Sequence, residues 1–407
     1  MAWRRTVHGY RAERAFDGER VLPGGALVLV EDGAIIGVEP AAATAPAGCE
    51  VTDLAGATLL PGLIDTHVHL CADGGPRALD QLAELDAGAV DAIVSVSLRR
   101  QLAAGVTAVR DLGDADWAVV DRHRGAGPGP TVVAAGPPIT SVQGHCWWLG
   151  GEASGVDGLR RAVRERAERG ADVVKVMASG GVMTVATDVL GGQFTLEELH
   201  AVVDEAHAAG LPVTAHAHPL TSVEQCAAAG VDGIEHGSCF VEHGFAVPAQ
   251  LAARLARAGT PVCPTLGRTP GVAPSPQMLA VIQRLGMTWD RRLAHVTALL
   301  EGGVRLVSGT DGGINPSKTH GVLPEAVIDL VDCGASAEEA LVSATSAAAQ
   351  ACGLAARTGR LAAGLDADLL AVDGDPLTDI RALRAVRTVV SRGRVAGPDG
   401  TVVGQPP

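Results

Sequence analysis

The sequence predicts an α/β protein: a parallel (β/α)8 barrel with a small β-sandwich assembled from both ends of the chain. Three observations carry this. From Leu59 to about Leu354, short apolar runs alternate with longer Ala-rich amphipathic stretches. Both ends read instead as short strands and turns. Histidines, a lysine and an aspartate stand at the C-terminal ends of several apolar runs, where a barrel keeps its chemistry.

At the N-terminal end, Ala26–Glu31 and Ala34–Val38 are apolar runs joined by Asp32-Gly33, a hairpin signal. Eight strand candidates follow: Leu63–His67, Thr107–Arg110, Thr131–Ala135, Val173–Met177, Val213–His216, Gly233–His236, Pro261–Pro264 and Arg305–Thr310. Amphipathic segments such as Leu159–Arg169, Leu196–Ala209 and Arg291–Glu301 lie between them, and Thr195 with Glu198 forms a capping box. Repeated strand–helix units require parallel strands with right-handed crossovers. An open doubly wound sheet is the alternative. Near the C-terminus, Asp368–Val372 and Val386–Ser391 are strand candidates separated by the turn residues Gly374-Asp375-Pro376. The expected division is a barrel over 59–355 and a β-sandwich from 1–58 and 356–407.

Hydrophobic residues are 47% of the 407 and aromatics only 2%, so the core must be built mostly from Ala, Val and Leu. A net charge of −14 without any Lys/Arg block disfavours nucleic acid and anionic membranes as partners. No apolar run reaches the roughly 18 residues of a membrane span. Arg4-Arg5 has the look of a twin-arginine signal, but the polar stretch from His8 to Arg20 supplies no apolar region, so no signal peptide is expected. Eight scattered cysteines without a CxxC pair fit a reduced, cytoplasmic protein. Homo-oligomerisation is left open.

The first strand candidate ends Asp65-Thr66-His67-Val68-His69. Alternation puts both imidazoles on one side, able to reach one metal ion at about 2.0–2.1 Å; two surface histidines are the plain alternative. Lys175 lies in an apolar strand, where an unpaired ammonium is costly. It either snorkels to the rim, forms a Schiff base, or adds CO₂ as a metal-bridging carbamate. His216 and His236 end the fifth and sixth strands, and Asp311 the eighth. Each alone has a structural explanation; together they fall on one rim.

The run Leu60-Pro61-Gly62-Leu63-Ile64-Asp65-Thr66-His67-Val68-His69 resembles the opening signature of the amidohydrolase superfamily. Lys175, His216, His236 and Asp311 match its remaining ligand positions in order, and Gly359–Leu369 is similar to the strand returning to its small β-domain. Gly144-His145-Cys146, Lys175–Gly181 and Ala215-His216-Ala217-His218 resemble the Xaa-Pro dipeptidase and imidazolonepropionase-like branch. In prolidase-like members the resemblance implies that a His matching His145 helps hold the substrate carbonyl or leaving region, and that a tyrosine stands where this chain has His218.

The expected site holds two divalent cations, zinc first among them. His67, His69 and Asp311 would hold one, His216 and His236 the other, with carboxylated Lys175 and a hydroxide bridging both. The hydroxide would attack an amide carbonyl of a small-molecule substrate, a peptide-like or N-acyl amino acid bond. His145 or His218 would stabilise the oxyanion, and Asp311 would pass a proton to the leaving amine. Substrate loops are expected at Val142–Gly151, Val182–Gly192, Gly267–Pro276 and Gly312–Gly321. Arg268 and Lys318 are candidates for a substrate carboxylate, His320 for the pocket or a helix cap, and Trp147 and Trp148 for an apolar wall. The alternatives are a mononuclear cyclic amidohydrolase or deaminase and a non-catalytic metal-binding barrel.

Overall fold

The computed structural model describes residues 7–402 except positions 128 and 185; Arg4 and Arg5 lie outside the described residues. The fold is mixed α/β. The chain opens with seven strands: β1 (His8–Ala12), β2 (Arg14–Phe16), β3 (Val21–Leu22), β4 (Ala26–Glu31), β5 (Ala34–Pro40), β6 (Glu50–Asp53) and β7 (Ala57–Pro61). The expected hairpin is β4–β5, antiparallel, turning through Asp32 (φ 49°) and Gly33 (φ 83°). Two residues at positive φ match the twist of the flanking strands, which is why a DG pair serves there. β5, β4, β1 and β6 form one four-stranded sheet.

Alternation follows: β8 (Leu63–Val68), α1 (Ala87–Ala103), β9 (Val106–Asp111), α2 (Ala118–Arg122), β10 (Gly125–Ala126), β11 (Thr131–Ala134), α3 (Gly155–Arg169) and β12 (Val174–Met177). Then come α4 (Leu196–Ala208), β13 (Val213–Pro219), α5 (Leu220–Ala229), β14 (Gly233–Val241), β15 (Gly244–Phe245), α6 (Ala249–Ala258) and β16 (Val262–Cys263). β8, β9 and β11 pair in parallel, as do β12, β13, β14 and β16. A single bridge, Ile139 to Val176, joins the two sets. β8, β9 and β12 are buried at every position, as expected of strands covered on both faces. The helix α4 begins with the Thr195–Glu198 capping box.

The eighth expected strand, Arg305–Thr310, is not a regular strand. It touches its neighbours through bridges, Leu306 to Val262 and Gly312 to Val68. The contact behind this is long-range. Buried Asp65 accepts from both the amide (3.0 Å) and the hydroxyl (2.6 Å) of Thr310, so that N–H is shared with the His67 carbonyl of β8 at 3.3 Å.

Helices α7 (Pro276–Leu285), α8 (Trp289–Glu301), α9 (Leu323–Asp332), α10 (Ala337–Ser343) and α11 (Ser346–Ala351) lead to β17 (Leu369–Asp373), β18 (Val386–Ser391) and β19 (Arg394–Val395). A six-stranded sheet runs β19-β18-β17-β7-β2-β3, so both ends of the chain share it. Tyr10 and Val28 of the four-stranded sheet pack in one core with Leu59, Leu369 and Val390 of this one. β7 passes directly into β8 through Gly62, where an added Cβ would sit 2.1 Å from Thr107 Oγ1. That glycine lets the first site strand lie against β9. Among the described residues no helix is long and apolar enough to cross a membrane.

Candidate metal centre

His67 and His69 leave the end of β8 on the same side. Their Nε2 atoms lie 3.4 and 3.2 Å from Asp311 Oδ1. Each Nδ1 faces a group that only accepts: Glu235 Oε2 at 2.8 Å from His67, and the Gly113 carbonyl at 2.9 Å from His69. Both rings therefore carry a proton on Nδ1 and turn Nε2 toward Asp311; His67 is kept neutral by burial, whereas Asp311 draws a second proton toward His69 and raises it against burial. Asp311 has φ 59°, a left-handed conformation that costs energy in a non-glycine residue and turns its carboxylate toward the imidazoles.

His216 on β13 and His236 on β14 have ring centroids 4.6 Å apart. His216 Nε2 donates to the Gly180 carbonyl at 3.1 Å, which frees its Nδ1 lone pair. His236 Nδ1 meets Thr265 Oγ1 at 3.0 Å, and its backbone sits at φ 67°. The rings of His69, His67, His236 and His216 form a continuous file with centroids 5.4, 5.3 and 4.6 Å apart. Donor atoms of His67, His69 and Asp311 lie within 4.8 Å of one another, and so do those of His216, His218 and His236.

Lys175, on β12 beside Thr214 of β13, lines the same cavity and is only 1% exposed. Burial lowers its pKa, favouring the neutral amine. Burial also lowers His67, to about 4, and His216 and His236 well below the usual histidine value, so these imidazoles are neutral and can act as ligands. Burial opposes ionisation of Asp311, yet His67, His69 and Lys318 hold its carboxyl well below the ordinary range.

Two supporting carboxylates escape the sequence reading. Glu235 accepts from His67 Nδ1, Arg110 Nη2 (2.9 Å) and Thr214 Oγ1 (2.6 Å). Burial penalises its charge, but Arg110 and His67 outweigh that and keep it ionised. Asp65 ties the His67 amide to Thr310, and burial pushes its carboxyl up to about 6. Their signal was a carboxylate inside an otherwise apolar strand, which only a partner can make tolerable.

His145 and His218 both line the cavity. The His145 ring lies 4.7 Å from His216, and its Nδ1 meets Thr184 Oγ1 at 2.9 Å. His218 Nδ1 meets Ser238 Oγ at 2.9 Å. Burial brings each to about 3. Arg268 also lines the cavity, its guanidinium 3.6 Å over the Trp289 ring.

Three expectations are corrected. Lys318 borders the cavity, but its Nζ donates to the carbonyls of Thr265 (2.6 Å), Leu266 (3.1 Å) and Gly267 (2.7 Å). All three of its protons are engaged, so it braces that turn rather than offering itself to a substrate carboxylate. His320 lies outside the cavity wall and donates from Nε2 to the Ala72 carbonyl at 2.9 Å; α9 starts at Leu323 without a side-chain cap. Trp147 is 42% exposed, and neither it nor Trp148 lines the cavity, where Cys146 and Leu149 stand instead. Arg292 of α8 is a cavity residue that the sequence did not single out; its Nη1 donates to Ser238 Oγ at 3.1 Å.

Residues 58–396 match the model of the amidohydrolase family. The ochratoxinase of Aspergillus niger is 28% identical, over 81% of this chain and 73% of that protein. Its crystal structure aligns with a TM-score of 0.80 at 25% identity, covering 97% and 98% of the two chains. A Xaa-Pro dipeptidase crystallised with methionine in its active site aligns with a TM-score of 0.82 at 25% identity, covering 98% and 100%. Imidazolonepropionase of Symbiobacterium thermophilum is 27% identical over 96% of this chain and 94% of that one.

Proposed function

This chain belongs to the amidohydrolase family, and from that premise we propose that it is a metal-dependent hydrolase cleaving the amide bond of a peptide-like or N-acyl amino acid substrate. The observation that carries this is the file of four imidazoles in one cavity with Asp311 and Lys175, with donor atoms gathered in adjoining groups. The donor set fits two divalent cations: three imidazoles that burial keeps neutral, His69 held in place by the Gly113 carbonyl, and one ionised carboxylate suit zinc. His67, His69 and Asp311 would hold one ion, His216 and His236 the other, and Lys175, carboxylated by CO₂, both. Once bound, the ions would acidify a water to a nucleophile near neutral pH and polarise the substrate carbonyl.

The chain's own groups supply the rest. The neutral Lys175 amine would bond through nitrogen to the carbon of CO₂ as one C=O π bond opens onto oxygen, releasing one N–H proton to solvent and leaving a carbamate anion. Asp311 accepts a proton from the attacking water on a carboxylate oxygen and delivers it to the leaving amine nitrogen. His145 and His218 are the proposed electrophilic donors. Ser238 Oγ accepts from Arg292 and can pass its own proton to His218 Nδ1. Thr184 Oγ1 accepts from the Cys146 amide at 3.0 Å and can pass its own to His145 Nδ1. In that arrangement each ring carries Nε2–H, suited to a developing oxyanion, with His145 Nε2 3.6 Å from Cys146 Sγ. This would be the reverse of His67 and His69, and would separate donors from ligands although His218 lies beside His216 and His236.

The same proposal takes residues 59–355 as a closed (β/α)8 barrel of the TIM type and the two ends, 1–58 and 356–407, as a β-sandwich. The bridge from Val68 to Gly312 and the shared six-stranded sheet support it. Eight free cysteines support a reduced, cytoplasmic setting. The test is a screen of zinc-loaded protein against dipeptides and N-acyl amino acids, with chelated protein and Asp311→Asn as controls. Cleavage that disappears in both controls is expected; cleavage that survives chelation contradicts the proposal. Likeness to imidazolonepropionase favours a second reading, cyclic amide hydrolysis at one metal. One bound equivalent rather than two would select it.

A further inference from the structure

The chain has five methionines, and all four beyond Met1 line the cavity above the candidate metal centre. They arrive from separate segments: Met177 ends β12, Met183 lies in the loop after it, Met278 is on α7, and Met287 precedes α8. Phe240 and Trp289 complete this wall. Met177 belongs to the main core, Met183 packs against it and Met287 sits in a small satellite core, yet all of them also reach the cavity wall, while the rest of the interior is built mostly from Val, Leu and Ala. A long, unbranched, polarisable side chain moulds itself to irregular apolar ligands and makes favourable contacts with aromatic rings.

Apart from the metal-centre residues Asp311 and Lys175, the charged groups lining the cavity are all cations: Arg268, Arg292 and Lys318. Lys318 is committed to three carbonyls, and Arg292 to Ser238 and the Pro264 carbonyl. Arg268 is different: its guanidinium carbon sits 3.6 Å over the Trp289 ring, among the described residues it makes no hydrogen bond, and Asp329 of α9 is the carboxylate that feels its charge.

We propose that the substrates are amino acids N-acylated with a bulky apolar group, aryl or long alkyl, in preference to compact dipeptides. The methionine wall takes the acyl group, and Arg268 takes the free carboxylate. This rests on the amide-hydrolase reading above. Water adds across the amide: the C–N bond breaks, the acyl carbon keeps the water oxygen as a carboxylate, and the leaving nitrogen takes both water protons and departs as an ammonium.

The experiment measures kcat/KM of zinc-loaded protein for N-acetyl-, N-hexanoyl-, N-decanoyl- and N-2-naphthoyl-L-alanine, with Ala-Pro and Ala-Ala as compact comparators. Decanoyl and naphthoyl substrates are expected to exceed the acetyl one by about tenfold or more, as added methylenes in an apolar pocket do. Met183→Ala with Met278→Ala should flatten that ratio. Arg268→Leu should abolish the preference for N-decanoyl-L-alanine over its carboxamide, and Arg268→Lys should restore part of it. Equal or faster cleavage of the acetyl substrate or the dipeptides overturns this inference and leaves the amide-hydrolase reading standing. Failure to cleave any of these amides with two metals bound overturns both.

Discussion

His67 gives its Nδ1 proton to Glu235 across 2.8 Å, and that bond turns its Nε2 lone pair toward Asp311. A carboxylate behind a liganding imidazole fixes the ring and makes it a stronger base. Glu235→Gln removes the charge while keeping the shape. Metal affinity should fall about 10–100-fold, read by competition with a chromogenic chelator, with the circular dichroism spectrum unchanged. Undiminished affinity would detach Glu235 from the metal centre.

His218 acts as a donor rather than a ligand if Ser238 passes it a proton. His218→Phe should retain two metal equivalents and lose on the order of a hundredfold in kcat, with KM changing far less. Ser238→Ala should lose part of the same factor, and Ser238→Thr should regain it. Loss of one metal in His218→Phe would instead make His218 a ligand.

The buried imidazoles set a pH dependence of stability. Burial holds His67 at about 4 and His145 and His218 at about 3, against about 6.5 in an unfolded chain. Above pH 6.5 both states leave these rings neutral, and their contribution to stability is complete. As the pH falls below 6.5 the unfolded chain takes up protons that the folded one refuses until about pH 4 to 3, so stability declines through that window. His69 partly offsets this, because Asp311 raises it against the effect of burial. The Tm of metal-free protein should drop steadily from neutral pH to about pH 4.5. A flat profile over that range would contradict the assignment of neutral rings.

Lys318 braces the turn at Thr265–Gly267 with three N–H···O bonds. Lys318→Met leaves those carbonyls without a donor and should cost roughly 1–3 kcal/mol of unfolding free energy in a urea titration. An unchanged midpoint would return Lys318 to the list of free cavity cations.

Much of this was legible before folding. Period-two alternation placed His67 and His69 on one side, and apolar runs that stop at His216 and His236 marked two parallel strands, although β13 and β14 run on to Pro219 and Val241. The structure brings these residues together with Lys175 and Asp311. The irregular backbone at 305–310 was not legible, because it depends on Asp65 reaching a residue 245 positions away. Lys318 and His320 were misread for a related reason: their partners are main-chain carbonyls that only the folded chain delivers. Arg292 looked like one more charge on an amphipathic helix. Glu235 was overshadowed by the histidine next to it, although a carboxylate between apolar neighbours in a buried strand already demands a cation or donor.

The most direct measurement is an anomalous difference map at the zinc edge, from crystals grown with excess zinc and bicarbonate. Two peaks are predicted, one against His67, His69 and Asp311 and one against His216 and His236, with Lys175 Nζ extended by a carboxylate lying between them. A single peak, or Lys175 bare and turned from both histidine pairs, would contradict the binuclear centre.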